Sequence, residues 1–96
     1  MRIVSKAAIT GFAKNHKDAL EPLMHWYFIA KRAQWQNLAE VRTDFRHVDA
    51  FGLFTVFHIG GNKYRLIAAI KYRWQVIYIR HVLTYAEYSK EKWKSS

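Results

Sequence analysis

No cysteine occurs in this sequence, so a disulfide framework and thiolate chemistry are both excluded. Acidic side chains are scarce, 7 against 16 Lys plus Arg, leaving a net charge of +9. The five histidines, at 16, 25, 47, 58 and 81, fall at no metal-ligand spacing, so no metal site and no cofactor is expected. Long apolar runs are missing too. The longest, near Met24–Ala30, is interrupted by His25 and is far shorter than a membrane span. The opening MRIVSKAAITGFAK has no apolar region of signal-peptide length, and a soluble cytoplasmic protein is the expectation.

What the chain does have is rings and positive charge. Of its 96 residues, 51% are hydrophobic and 17% aromatic, enough for one packed core and one domain spanning residues 1–96. The surplus charge is uneven. Residues 1–56 carry 8 basic and 5 acidic side chains, whereas residues 57–96 carry 8 and 2. Net charge speaks to partners rather than to fold, and a basic half with interleaved rings suits a polyanion such as RNA. A plain solubility charge would produce the same totals.

After an extended start at Arg2–Val4, Ser5 is placed to cap a helix whose apolar positions Ala8, Ile9, Phe12 and Ala13 share a face. Asp18 and Glu21 have the form of a capping box with Pro22 in the first turn. They predict a second helix to about Trp35, with Leu20, Leu23, Trp26/Tyr27, Ala30 and Ala33 inward. These two helices form an antiparallel hairpin. Leu38, Val41 and Phe45 have helical spacing, so a short helix is expected between Gln36 and Asp49, with His47 a surface or packing residue.

From Leu53 the period becomes two. Gly60-Gly61-Asn62 marks a hairpin turn, Tyr64–Lys71 the next strand, and Tyr72-Arg73-Trp74 a second turn before Val76, Tyr78 and Arg80 resume the alternation. The pattern predicts a three-stranded antiparallel meander, with the N-terminal segment as a plausible fourth strand. Thr84 and Glu87 have capping-box spacing and open a last helix through about Trp93. The fold class is α+β.

Cleaving RNA without a metal is possible because the substrate carries its own nucleophile, the 2′-hydroxyl. The protein must accept that proton, stabilise charge growing on the phosphorane, and protonate the leaving oxygen. Arginine suits the second task, since its planar fork grips two phosphate oxygens at any working pH. Arg65 follows the glycine turn on the strand expected to be central, and Arg80 is expected beside it on the next strand. Spacing alone equally allows both to line a solvated sheet face. Lys63 and Asn62 lie in the turn. Tyr64, Tyr72, Trp74, Tyr78, Tyr85, Tyr88 and Trp93 interleave with Lys71, Arg73 and Lys90, as in a groove where bases stack on rings, although many such rings simply pack. His58 and His81 are further acid–base candidates; a lone strand histidine is more often packed.

These residues resemble the HigB family of toxins in the RelE/ParE superfamily of toxin–antitoxin systems. The resemblance rests on Phe57-His-Ile-Gly-Gly-Asn-Lys-Tyr-Arg-Leu66, Val76-Ile-Tyr-Ile-Arg80 and Thr84-Tyr-Ala-Glu-Tyr88, with support from the N-terminal Met-Arg-Ile-Val-Ser-Lys and Trp26-Tyr27. It implies a RelE-like, microbial-RNase-type β-α-α-β-β-β-α fold, with an antiparallel sheet backed by a helical hairpin. It also implies mRNA cleavage on the translating ribosome and neutralisation by a HigA-like helix-turn-helix antitoxin in a hetero-oligomer. Arg65 matches the superfamily's phosphate-stabilising arginine, and Lys63 and Tyr88 match its basic and aromatic positions. One position departs. The family often has Thr-His-Ala-Glu-Tyr-Asp, with the histidine as proton donor, where this chain has Thr84-Tyr85-Ala86-Glu87-Tyr88-Ser89. Tyrosine, titrating near 10, is a different acid from histidine near 6.5. The expected catalytic set is thus Arg65, Tyr85, Tyr88 and Arg80, with Asn62, Lys63, Lys71, Arg73, Trp74 and Lys90 on the RNA. Binding to RNA or the ribosome without cleavage, and gyrase inhibition of the ParE kind, are the other readings left open.

Overall fold

The computed structural model describes residues 1–95. In chain order it contains β1 (Arg2–Val4), α1 (Lys6–Ala13), α2 (Leu20–Arg32), α3 (Leu38–Asp44), β2 (Val48–Phe51), β3 (Phe54–Ile59), β4 (Tyr64–Lys71), β5 (Val76–Thr84) and α4 (Tyr85–Ser89). Short 3-10 turns occupy Lys17–Ala19, Tyr72–Trp74 and Lys92–Ser95. The five strands form one sheet in the order β1-β5-β4-β3-β2, which puts β4 at its centre.

The sheet departs from the expected meander in two ways. β1 joins it parallel to β5, Ile3 opposite Ile77, so the sheet is mixed. An additional edge strand, β2, pairs antiparallel with β3. Its sequence Val-Asp-Ala-Phe buries only Val48, so it has little hydrophobic alternation to announce it. The short helix expected before it is α3, capped by Asn37, whose side-chain oxygen accepts from the Glu40 N–H at 3.0 Å.

The glycine turn forms as its residues require, with Gly60 and Gly61 at φ 62° and 69°. The β4–β5 turn closes through Gln75 in the left-handed region, φ 57°, its side chain donating to the Tyr72 and Trp35 carbonyls at 2.8 and 2.7 Å.

Two apolar clusters lie on opposite faces of the sheet. The larger packs α1 and α2 against the inward rows of β3–β5 and contains Ile9, Leu23, Trp26, Phe57, Leu66 and Ile77, all fully buried. Burying side chains of this size is worth about 1.5–3 kcal/mol each, so this face carries most of the stability. The smaller holds Val56, Ile67 and Trp93, with Phe54, Leu83 and Tyr88 at its margin. Beside this lesser cluster the sheet face is open.

Three predicted helix boundaries are corrected. Asp18 does not cap α2; it sits in a 3-10 turn, and α2 begins from Ala19 with no side-chain cap. Its carboxylate is drawn instead to Tyr64 on β4 and to Lys63 in the turn before it. α2 ends at Arg32, and α4 at Ser89 rather than Trp93, because Glu91 takes a positive φ before the final 3-10 turn.

Candidate nucleic-acid and catalytic site

The sequence of β4 alternates between the faces. Tyr64, Leu66 and Ala68 join the large core, and Arg65, Ile67, Ala69 and Lys71 face the other way. Arg65 is only 3% exposed. No salt bridge among the described residues includes it. It is held by neutral groups. Nη1 donates to the Tyr64 and Asn62 carbonyls at 3.0 and 3.3 Å, and Nη2 to Asn62 Oδ1 at 3.0 Å. The rings of Tyr85 and Tyr88 cover the guanidinium, their centroids 5.0 and 5.3 Å from Cζ. Nε is buried without a hydrogen-bond partner. A buried cation lacking a counter-charge is costly, and ring faces offset only part of that cost. An incoming anion would supply what the site lacks.

Tyr85 and Tyr88 owe their positions to α4. Thr84 Oγ1 accepts from the Glu87 N–H at 3.2 Å, and Glu87 Oε1 accepts from the Thr84 N–H at 2.9 Å, the reciprocal capping box the sequence predicted. That backbone hydrogen bond at Thr84 holds the Glu87 carboxyl below the usual range. The Tyr85 N–H donates to the Lys63 carbonyl at 3.0 Å, so helix and turn are tied together. Tyr85 remains 52% exposed, while Tyr88 is half-buried and stacks on Trp93 at 5.2 Å.

Behind the turn, Asp18 accepts from the Tyr64 hydroxyl and from Lys63 Nζ, the latter at 3.2 Å. The Tyr64 hydrogen bond leads in holding the Asp18 carboxyl below its ordinary value, and it raises the Tyr64 phenol in turn. Lys63 is therefore drawn toward Asp18, on the far side of the turn from the Arg65 rings. This arrangement had no local signal, because the partners are 45 and 46 residues apart.

Arg80 is not beside Arg65. Arg65 stands opposite Leu83, and the register shifts where Ile67 faces His81 and Ala68 faces Ile79, leaving Arg80 as the extra residue of a β-bulge. Arg80 joins Lys71, Tyr78 and Phe54 around a cleft of about 480 Å³ farther along the same face. Lys71 lies six positions along β4 from Arg65, about 20 Å away. Beyond it Trp74 is 68% exposed, with Arg73 against its ring at 5.0 Å. Lys90 lines a cleft of about 360 Å³ with His81, Glu87 and Trp93, between the two ends. Burial, and then neighbouring Arg80, hold His81 below the ordinary histidine value. The expected site residues thus divide between an Arg65 end (Asn62, Lys63, Tyr85, Tyr88) and a distal end (Lys71, Arg73, Trp74, Arg80). No group of three or more His, Cys, Asp or Glu side chains placed to hold a metal occurs among the described residues, and no helix is long and apolar enough to cross a membrane.

A mixed sheet with a covered arginine on its central strand and basic clefts along its open face is consistent with the RelE-like toxin class that the sequence resembles. The HigB toxin family, the RelE-like toxic component of a toxin–antitoxin system, matches residues 19–91. An mRNA interferase HigB from Escherichia coli O6:H1 is 30% identical over 93 residues, covering 94% of this chain and 90% of the relative. The chain belongs to the HigB toxin family.

Proposed function

We propose that this toxin is an endoribonuclease that cuts mRNA on the translating ribosome, without a metal, and that a HigA-like helix-turn-helix antitoxin restrains it. The observation that carries this reading is Arg65, a buried cation with no acidic partner among the described residues, at the floor of a basic, ring-lined face. Its guanidinium stabilises the phosphorane. Tyr85 gives a proton to the leaving 5′-oxygen, Tyr88 holds the cation's geometry, Asn62 meets the flanking phosphate, and Lys63 reaches it by exchanging its Asp18 partner for the phosphate. Lys90, Arg80, Lys71, Arg73 and Trp74 form the track for the rest of the strand; Arg80 acts there rather than at the reacting phosphate, because the bulge carries it away from Arg65. The 30%-identical relative bears the name mRNA interferase, which supports the same activity here.

The test is end-mapping of mRNA after incubation with translating ribosomes and, separately, of naked RNA. Cuts in the ribosome sample that leave 2′,3′-cyclic phosphate and 5′-hydroxyl ends, the products of attack by the substrate's own 2′-hydroxyl, are expected. Silence in both samples from folded protein, or 3′-hydroxyl and 5′-phosphate ends of the kind a metal-activated water leaves, overturns the reading. The closed-in Arg65 together with Tyr85 at the family's histidine position favours one rival, a toxin that occupies the ribosome without cutting. Under that rival, Tyr85→His would gain cleavage that the wild type lacks.

A further inference from the structure

A second pair of acid–base groups flanks Arg65. His58 on β3 stands directly opposite Arg65 on β4. Residues so paired in an antiparallel sheet share a face, with Cβ atoms about 4.5–5.5 Å apart. His58 Nε2 lies 3.3 Å from Asp49 Oδ2 on β2, and the two side chains are 26% and 64% exposed, open to a substrate on this face. A carboxylate only accepts hydrogen bonds, so this contact places the neutral imidazole's proton on Nε2 and leaves the Nδ1 lone pair available. Four further charged or titratable groups stand close to the ring. Arg65 faces it from β4, His47 lies 6.0 Å away between ring centroids, and Arg46 and Asp44, the latter accepting from Trp35 Nε1, line the adjoining cavity of about 310 Å³.

The strand order decides what this pair can do. α4 packs on β4 and β5, so Tyr85 reaches Arg65 from the β5 side, whereas His58 approaches from the β3 side. In-line displacement at phosphorus needs its attacking and leaving oxygens on opposite sides. His81, opposite Ile67 on β5, would put both proton groups on one side.

Building on the nuclease reading above, we propose that His58, oriented by Asp49, is the general base of the reaction. The 2′-hydroxyl proton passes to His58 Nδ1 as the 2′-oxygen bonds to phosphorus. The bond from phosphorus to the 5′-oxygen breaks, and Tyr85 protonates that oxygen. The products are a 2′,3′-cyclic phosphate and a 5′-hydroxyl, and both side chains recover their protonation states from water. Asp49 is a positioning residue: it fixes the tautomer and favours the imidazolium as it forms.

Cleavage by wild type, His58→Asn, Asp49→Asn and Arg65→Ala is compared on ribosome-bound and naked RNA, with folding checked by circular dichroism. His58→Asn is expected to lower kcat about 100-fold or more with little change in KM, and to remove the acid limb of the pH–rate profile. Asp49→Asn should lower kcat about 10-fold with KM unchanged, and Asp49→Glu should recover part of it, a kcat-only loss with carboxylate rescue that a purely structural role would not produce. Added imidazole should restore part of the activity of His58→Ala. If Arg65→Ala is inactive while His58→Asn stays within about threefold of wild type, the base is elsewhere and the nuclease reading stands. An unchanged kcat in Asp49→Asn also overturns the proposal, even where His58 variants fail to fold. If the wild type cuts neither RNA, the nuclease reading fails and takes the base with it.

Discussion

Arg65 pits stability against activity within one side chain. It is buried, has no carboxylate partner among the described residues and has an unsatisfied Nε, so the fold bears its desolvation. Arg65→Met is therefore expected to raise stability, by about 1 kcal/mol in chemical denaturation, while lowering cleavage at least about 100-fold. Asp18 gives a second residue-scale prediction. Its folded carboxyl is depressed, mainly by the Tyr64 hydrogen bond, so its stabilising effect is full above the unfolded value near 3.9 and is lost as pH falls through the lower folded value. Denaturant melts of wild type and Asp18→Asn should differ at pH 6 and converge as the pH drops below about 4. At this scale the sequence made Arg65 legible as a cation on the central strand. It offered His58 only as one of two acid–base candidates and Asp18 only as a helix cap, and it hid the Asp18–Tyr64 and His58–Asp49 contacts, whose partners come from other strands and turns and leave no local spacing to read.

Among the elements, α4 is the one on which the site depends. A five-residue helix has little stability of its own and rests on the Thr84–Glu87 box and the Tyr85–Lys63 backbone bond. Thr84→Ala should destabilise the protein by about 1 kcal/mol. Its effect on cleavage should be larger than that implies, since Tyr85 and Tyr88 lose their placement; amide exchange over 85–89 would register the local loss. Turns and caps were readable because glycine φ, capping-box spacing and a change of period are local signals. The edge strand Val48–Phe51, the parallel pairing of β1 and the bulge at Arg80 depend on what each segment meets in space. That bulge moved one expected catalytic arginine along the face.

Across the whole molecule, the +9 charge is not confined to one point. From Arg65 through the clefts to Arg73 and Trp74, cations recur along one side of the sheet. Lys71→Ala with Arg80→Ala should weaken RNA binding across sequences and flatten the plot of log affinity against log salt by about one for each lost phosphate contact, measured by fluorescence anisotropy. The two sides of the sheet also differ in what they contribute. The helix-covered side holds most of the large fully buried residues, and the open side has a minor cluster of Val56, Ile67 and Trp93. Substitutions on the open side away from that cluster therefore put little of the folding free energy at risk, and acids, bases and rings can be exchanged there while the opposite side keeps the architecture intact. Tyr85, where the family resemblance implies a histidine, is the kind of exchange such a division of labour permits.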